Sequence, residues 1–174
     1  MNAGIKTRAF PGAAVAITHL GRLVALKGLG AFTYDANAPR VQPDTIYDLA
    51  SVSKVVATTA MAMLLHERGF FELDQSVAWI LAEFPAGKQV TFRHLLAHAS
   101  GLPAYARLYE SARTRDDLLR AACATPLAHA PGSRAEYSDI GFIILGKALS
   151  RLAEEPLDRF CQHQIFGPLG MSRT

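Results

Sequence analysis

The order of the sequence patterns is the strongest constraint on the fold of this chain. Residues 11–18 and 22–32 are apolar and contain β-branched side chains, and His19-Leu20-Gly21 between them is short enough for a hairpin turn. No segment after Asp48 has a clear strand pattern. An isolated hairpin that is apolar on both faces is marginal in water. We therefore expect an α+β fold, an N-terminal antiparallel β-hairpin followed by a mostly helical domain, with a sheet that is incomplete within this chain.

The later part of the chain predicts six helices. Thr91 and Thr114 are placed to cap two of them, and Gly69 is placed to stop the first. The first predicted helix is apolar on almost every side, which is typical of a buried helix. We expect a hairpin region at residues 1–45 and a helical region at 46–174. The predicted helices cover residues 51–68, 73–84, 92–99, 115–124, 138–152 and 156–165.

Composition excludes several classes of protein. The 174 residues are 50% hydrophobic, which suits an ordinary globular domain. The net charge is +3, and the basic clusters Lys6-Thr7-Arg8 and Arg113-Thr114-Arg115 lack the interleaved aromatics of a nucleic-acid groove. No apolar run reaches the roughly 20 residues that a membrane span needs. Cys123 and Cys161 are far apart in predicted helices, and we expect buried free thiols with a disulfide as the alternative.

The N-terminal residues leave the cellular location open. Residues 1–10 lack the continuous apolar core of a signal peptide. The protein is therefore expected to be cytoplasmic if Met1 is its native start, and periplasmic if a leader was removed before this numbering begins.

A serine and a lysine at the start of the first predicted helix suggest nucleophilic chemistry. Ser51 and Lys54 are three residues apart, which puts a hydroxyl and an amine on one face of the first turn. The start of a helix also favours developing negative charge. A serine needs a neighbouring base, and Lys54 would serve if burial and a nearby cation lowered its pKa. The pattern predicts acyl transfer through a serine ester, although a capping Ser51 with a solvent-facing Lys54 has the same spacing.

A tyrosine and two histidines are further candidates for chemistry. Tyr137 precedes a strongly helical segment, and its phenol, with an ordinary pKa near 10, could act as a base if Lys54 held it as phenolate. The alternative for Tyr137 is a half-buried side chain with one hydrogen bond. His94 and His98 have a zinc-binding spacing, but Leu95 stands where a zincin carries glutamate. We expect no metal site, and we interpret His98 as structural, near a helix C-terminus that favours its positive charge.

Four segments, in the same order, resemble motifs of the serine β-lactamase and penicillin-binding protein superfamily. The nearest branch contains class C β-lactamases, family VIII esterases and D-amino-acid peptidases. Residues 46–54 look like the S-x-x-K nucleophile motif, and residues 95–103 are similar to L-L-x-H-x-S-G-L-P. Tyr137-Ser138-Asp139 resembles the Y-x-N motif. Pro168-Leu169-Gly170-Met171, with Thr174, matches a further signature.

The resemblance implies a β-lactamase/transpeptidase-like fold and a serine hydrolase that forms an acyl-enzyme. Its activity would be of the esterase, β-lactamase or D-peptidase type, on a small-molecule acyl substrate and without a cofactor. By the same resemblance Ser51 is the nucleophile and one oxyanion-hole N–H, Lys54 is its activating partner, and Tyr137 relays protons. Asp139 occupies a substrate-binding position.

Two departures from the family pattern limit this expectation. Asp139 replaces the usual asparagine, and a carboxylate there would favour a charged Lys54 and could not donate to a substrate amide. This favours esterase or peptidase chemistry over lactam hydrolysis. The strand motif K-T-G or H-T-G is absent, so we expect the remaining sheet and a C-terminal helix from a later segment or a second chain. The alternative is a non-catalytic penicillin-binding-like or interaction module.

Overall fold

The computed structural model describes residues 1–174, which divide into two compact units, Met1–Asp48 and Leu49–Thr174. The first unit begins with a short helix that the sequence did not predict, α1 (Asn2–Lys6), followed by strands β1 (Gly12–His19) and β2 (Arg22–Gly30). The two strands form an antiparallel two-stranded sheet. The predicted hairpin is confirmed, with strand ends that differ from the prediction by one or two residues.

The geometry of the hairpin turn explains how β1 and β2 pair. His19 lies opposite Arg22, so that Leu20 and Gly21 alone form the turn, with φ values of 48° and 73°. Two successive residues with positive φ are the signature of a type I′ turn, whose twist matches that of the flanking strands. The register is irregular between Ile17 and Thr18.

The apolar side chains of the hairpin are largely exposed. The exposed fractions are 52% for Ile17, 58% for Leu23, 61% for Val24 and 48% for Leu26. A sheet of two strands with uncovered apolar side chains is the incomplete sheet that the sequence predicts.

The second unit is helical. A π-helical turn (Lys54–Thr59) leads into α2 (Ala60–Glu67), and later come α3 (Phe92–Leu96), α4 (Arg115–Ala124) and α5 (Asp139–Leu152). Next comes α6 (Leu157–Cys161), which continues as a second π-helical turn (Gln162–Phe166). Short 3-10 turns occupy Val77–Trp79, Pro85–Lys88 and Leu108–Glu110. No helix of the chain combines the length and the apolar character needed to cross a membrane.

Side-chain caps start three of these helices, and two of the capping residues, Thr91 and Thr114, are those that the sequence predicts. Thr91 and Thr114 each accept the N–H of the third helical residue, and each of these residues, His94 and Asp117, bonds back to the capping residue. Ser138 caps α5 by accepting the N–H of Gly141 at 3.0 Å. These caps fix where α3, α4 and α5 begin, and so fix the position of the residues just before α5.

Helix α5 lies at the centre of the hydrophobic core. Its residues Ile144, Leu145, Ala148 and Leu149 are fully buried, and it contacts α2, α3, α4 and α6. Cys123 of α4 and Cys161 of α6 are buried and free, which confirms the prediction of free thiols. Burial at this density makes α5 the most constrained element of the unit.

The predicted helix at residues 73–84 is wrong. The backbone there pairs with a distant segment: Val77 N–H donates to Val90 O at 2.9 Å, and Arg93 N–H donates to Leu73 O at 2.8 Å. Ser76 caps only the single 3-10 turn Val77–Trp79. Hydrogen bonds to residues distant in the sequence thus use backbone groups that a helix would need.

The expectation of a first helix buried on all sides is also wrong. Met61 and Leu65 are buried, whereas Val52, Val55 and Met63 are 52%, 65% and 67% exposed. One side of this helix packs against α5 and α6, and the other side carries an apolar stripe with no covering element in its own unit.

Replacing Leu20 with asparagine should stabilise the hairpin. Leucine at φ 48° is strained by roughly 1 kcal/mol, and asparagine tolerates this region far better. Because Leu20 is 89% exposed, no packing is lost. We expect Leu20→Asn to raise the free energy of unfolding by about 1 kcal/mol, measured by denaturant titration and by hydrogen exchange of the β1 and β2 amides.

Gly21→Ala is the matched control for this prediction. Nothing lies within 4 Å of the position that its Cβ would take, so only the strain at φ 73° changes, and the hairpin should lose about 1 kcal/mol. Equal stability of all three proteins would contradict the assignment of strain to this turn.

Candidate active site

The four residues singled out in the sequence meet at one ammonium group. Lys54 Nζ donates a hydrogen bond to Ser51 Oγ at 3.1 Å and lies 2.7 Å from Asp139 Oδ1. The same nitrogen is 5.0 Å from the centre of the Tyr137 ring. Ser51 and Lys54 come from one helical turn, whereas Tyr137 and Asp139 lie at the start of α5. Two elements that are distant in sequence therefore build one polar cluster.

The surroundings of Lys54 keep its ammonium protonated. Burial lowers the pKa of Lys54, but hydrogen bonds to Asp139 and to Tyr137 and the negative charge of Asp139 outweigh burial, and the net pKa is raised. The ammonium therefore donates to Ser51 Oγ and has no lone pair with which to accept a proton. The hypothesis of a lowered Lys54 pKa is wrong, because the Asp139 carboxylate stabilises the charged ammonium.

Tyr137 has the opposite shift. Hydrogen bonds from Lys54 and then from Ser51 lower the pKa of the Tyr137 phenol, and they outweigh the opposing effects of burial and of the Asp139 charge. The side chain is 50% exposed, so it also faces the open side of the cluster. The cluster thus pairs a protonated lysine with a phenol that ionises more readily than that of an ordinary tyrosine.

The backbone before the helix places Ser51 on a tight turn. Ala50 has a φ of 43°, a left-handed conformation that costs a non-glycine residue roughly 1–2 kcal/mol. Ser53 N–H donates to Ala50 O at 3.1 Å, and Lys54 N–H donates to Ser51 O at 3.0 Å. Strained residues held in this way cluster at functional sites.

The segment at residues 97–104 holds the start of α5. Asp139 N–H donates to Ala104 O at 2.9 Å, and Ser138 Oγ donates to Pro103 O at 2.7 Å. Gly101 has a φ of 80°, and a Cβ there would lie 2.0 Å from His129 O, so only glycine fits. The residues that resemble the L-L-x-H-x-S-G-L-P segment therefore form a scaffold for Tyr137 and Asp139. The resemblance pointed to this segment, but spacing alone did not indicate what it contacts.

The two histidines bind backbone amides. His94 Nδ1 accepts the N–H of Thr91 at 3.2 Å, and His98 Nδ1 accepts the N–H of Ser138 at 3.0 Å. Burial and the nearby Lys54 charge lower the pKa of His98, although Asp139 opposes them. The expectation that a positive charge on His98 is favoured is therefore wrong, because Lys54 and burial outweigh the helix end.

A cleft of about 470 Å³ opens beside Ser51 and Lys54. Its walls are mostly apolar or aromatic, and Tyr105 and Tyr109, joined by a hydrogen bond between their hydroxyls, form its rim. Both tyrosines are more than half exposed. Sequence reasoning missed them, because two tyrosines four residues apart in a loop have no distinctive signature. Leu108, Leu118 and Ile143 also line the cleft.

The fold is that of the serine β-lactamase and penicillin-binding protein superfamily. The family model described as Beta-lactamase matches residues 1–174. The chain therefore belongs to the β-lactamase family, and the resemblance seen in the sequence is confirmed. Its β-lactamase/transpeptidase-like fold is likewise confirmed by similar solved structures.

Two solved structures and one curated protein illustrate the similarity. The octameric penicillin-binding protein homologue from Pyrococcus abyssi is 26% identical, with a TM-score of 0.84 over 99% of this chain and 42% of its own. The hydrolase EstCE1, described as having promiscuous acyltransferase activity, is 28% identical, with a TM-score of 0.83 over 97% and 49%. "Putative D-alanyl-D-alanine carboxypeptidase" of Escherichia coli O157:H7 is 29% identical over 95% of this chain and 43% of its own. This chain thus spans less than half the length of each.

Replacing Asp139 with asparagine should lower the pKa of Tyr137 further. The negative charge of Asp139 opposes ionisation of the phenol. Its carboxylate also pairs with the Lys54 ammonium, which lowers the Tyr137 pKa. In Asp139→Asn we expect the near-ultraviolet tyrosinate absorbance of Tyr137 to appear at lower pH, with the Tyr137→Phe protein subtracted as background. Asp158→Asn makes the same change in the first turn of α6 and should leave this titration unmoved. An upward shift in Asp139→Asn would refute this electrostatic account.

Proposed function

We propose that the protein is a serine hydrolase that forms an acyl-enzyme on Ser51, without a metal or organic cofactor. The observation that carries the proposal is the Lys54 ammonium, which donates to the Ser51 hydroxyl while lowering the pKa of the adjacent Tyr137 phenol. Membership of the β-lactamase family supports serine acyl-enzyme chemistry in general. The residues supply every group that such a reaction needs on the nucleophile side.

In the proposed acylation, Tyr137 as phenolate takes the proton of Ser51 while Ser51 Oγ bonds to the substrate carbonyl carbon. The carbonyl oxygen becomes an oxyanion, for which the Ser51 backbone N–H is the first donor. Collapse of this intermediate breaks the bond to the leaving group, which takes the proton from Tyr137. The products are the Ser51 ester and a neutral alcohol or amine.

Deacylation in this proposal reverses the roles. Tyr137, again ionised, removes a proton from a water molecule as the water oxygen attacks the Ser51 ester. Ser51 Oγ leaves and recovers the proton from Tyr137, and the carboxylic acid departs. Lys54 keeps its proton throughout, since its pKa is raised, and its charge stabilises the phenolate each time Tyr137 is ionised.

The cleft supports a neutral apolar acyl group as the preferred substrate. Tyr109, Leu118 and Ile143 present apolar surface beside Ser51, and Asp139 adds a negative charge that disfavours anionic groups close to the lysine. Esters are therefore the first substrate class, with D-peptides and lactams as the alternatives.

We further propose that a later segment of the same protein, or a second chain, supplies the rest of the sheet. Each unit leaves apolar side chains uncovered, among them Val24 in the hairpin and Val55 in the first helix of the second unit. The chain's short span of its relatives supports the same proposal. A reading frame that continues past Thr174 into a strand with His-x-Gly or Lys-x-Gly would support this proposal.

A non-catalytic binding module is the second candidate. The observation that favours it is the ion pair of Lys54 with Asp139 at 2.7 Å, which draws the ammonium toward a carboxylate. Such a protein would bind acyl compounds in the cleft without forming a covalent bond. Covalent labelling separates the two candidates directly.

Ser51→Ala should abolish covalent labelling of the full-length protein by a fluorophosphonate probe, because the attacking oxygen is removed. Turnover of a p-nitrophenyl ester should fall by at least about 10³-fold, since nucleophile and base act as a unit. Ser172→Ala, a change of an exposed serine remote in sequence, is the control and should label normally. Labelling that persists in Ser51→Ala would remove Ser51 from the mechanism, and an unlabelled wild-type protein would favour the binding module.

Tyr109→Ala should weaken selectivity for large acyl groups. Loss of its apolar surface at the cleft rim should reduce kcat/KM for a p-nitrophenyl phenylacetate by about tenfold, and much less for the acetate. Tyr34→Ala, an exposed tyrosine of the first unit, serves as control. Equal losses for both esters would show that Tyr109 does not contact the acyl group.

A further inference from the structure

We propose that His98 is a positioning residue: as a neutral ring with its proton on Nε2, it holds Tyr137 where the phenol exchanges a proton with Ser51. This inference rests on the proposed function, because only there does Tyr137 act as the base. Nothing in the motif spacing assigns this task to His98.

Two hydrogen bonds fix the backbone on both sides of Tyr137. The carbonyl oxygen of His98 accepts the N–H of Glu136 at 2.7 Å. Its ring atom Nδ1 accepts the N–H of Ser138 at 3.0 Å. A single residue therefore binds both neighbours of the tyrosine, which restricts where its Cα and side chain can lie.

Ring contacts fix the side chain of Tyr137 as well. The centres of the His98 and Tyr137 rings are 4.4 Å apart at an angle of 32°, and those of His98 and Phe142 are 4.8 Å apart at 30°. Phe142 belongs to α5 and is nearly buried, so the imidazole is packed between a core ring and the proposed base. Lys54 Nζ lies 5.0 Å from the Tyr137 ring and 5.9 Å from the Phe142 ring, so the lysine shares this aromatic group.

The hydrogen bond to Ser138 requires the neutral form of His98. Nδ1 accepts, so it carries no proton, and the ring proton must be on Nε2. Protonation of Nδ1 would turn an N–H toward the Ser138 N–H and break the bond. Protonation is thus coupled to loss of the contact that positions Tyr137.

The charged groups around His98 act on this equilibrium in both directions. Burial and the charge of Lys54, which lies in the π-helical turn before α2, lower the pKa of His98. Asp139, at the start of α5, opposes them. Tyr137 contributes negative charge when it is ionised. The Glu136 carboxylate pairs with Arg134 and lies 3.5 Å from His129 Nε2. The folded site therefore favours neutral His98. The hydrogen bond from Ser138 N–H to His98 Nδ1 is fully present above the ordinary histidine pKa of about 6.5, and it is lost as pH falls through the lower pKa of His98 in the folded protein.

Two substitutions separate the hydrogen bond from the ring packing. Asparagine places Oδ1 near the position of Nδ1, so His98→Asn keeps an acceptor for Ser138 N–H but cannot titrate in this range. Asparagine also tolerates the φ of 54° at this position. Phenylalanine keeps the ring and removes the acceptor. Both variants are compared with His94→Asn, in which the cap of α3 changes and Tyr137 is not contacted.

In the full-length protein, the pH profile of kcat/KM for a p-nitrophenyl ester is the first measurement. In the wild type, one protonation should reduce activity below the pKa of Tyr137, and a second should reduce it further below the pKa of His98. In His98→Asn the second of these protonations should be absent from the profile, and in His94→Asn both should remain. His98→Phe should lower kcat by about a hundredfold with little change in KM, as expected for a misplaced catalytic group. A wild-type profile in His98→Asn, or an undiminished kcat in His98→Phe, would overturn the proposal.

A second measurement does not depend on turnover. In the Ser51→Ala protein, the NMR signals of the Ser138 amide and of the His98 ring should titrate together, with Nδ1 unprotonated above the transition. If the two signals titrate separately, His98 does not position Tyr137, even if a fluorophosphonate labels Ser51 of the wild-type protein. If the signals titrate together but the wild-type protein is not labelled, the contact exists and the proposed hydrolase activity is refuted.

Discussion

One protonated lysine lies at the centre of the proposed active site of this chain. The Lys54 ammonium contacts the Ser51 hydroxyl and the Asp139 carboxylate, and it hydrogen-bonds to the Tyr137 phenol. With all three partners it acts as donor, and in the proposed mechanism the lysine therefore supplies positive charge while the tyrosine accepts the proton. Without the positive charge at Lys54, the phenolate would have no counter-ion in the cluster.

The fold keeps the partners of this ammonium together by packing and by backbone pairing. The buried face of α5 anchors Tyr137 and Asp139 at its start, and the segment at residues 97–104 binds the same stretch through Ala104 and His98. Gly101 allows the approach of the His129 carbonyl that this pairing requires. The cluster is therefore a product of two rigid supports, a core helix and a paired loop, which is the arrangement that precise catalytic geometry needs.

Local patterns predicted the hairpin, the caps at Thr91 and Thr114, and the helices at α4 and α5, because these depend on turn chemistry and spacing close in sequence. The resemblance brought Ser51, Lys54, Tyr137 and Asp139 into one hypothesis. The helix at residues 73–84 failed because pairing with residues 90–93 is a long-range contact. The carboxylate at Asp139 indicated a charged Lys54. The direction of the His98 pKa shift, and the cleft walls at Tyr105 and Tyr109, depend on distances that spacing in the sequence does not give.

The central claim is that Tyr137, ionised beside Lys54, removes the proton of Ser51. The pH dependence of the acylation rate constant tests it most directly, measured by rapid mixing of the full-length protein with a chromogenic ester. Above the pH range in which His98 titrates, the account predicts a rate that rises through one ionisation with a pKa below that of ordinary tyrosine. Tyr137→Phe should lose this ionisation and at least about a hundredfold in rate. The same pH dependence and rate in Tyr137→Phe would contradict it.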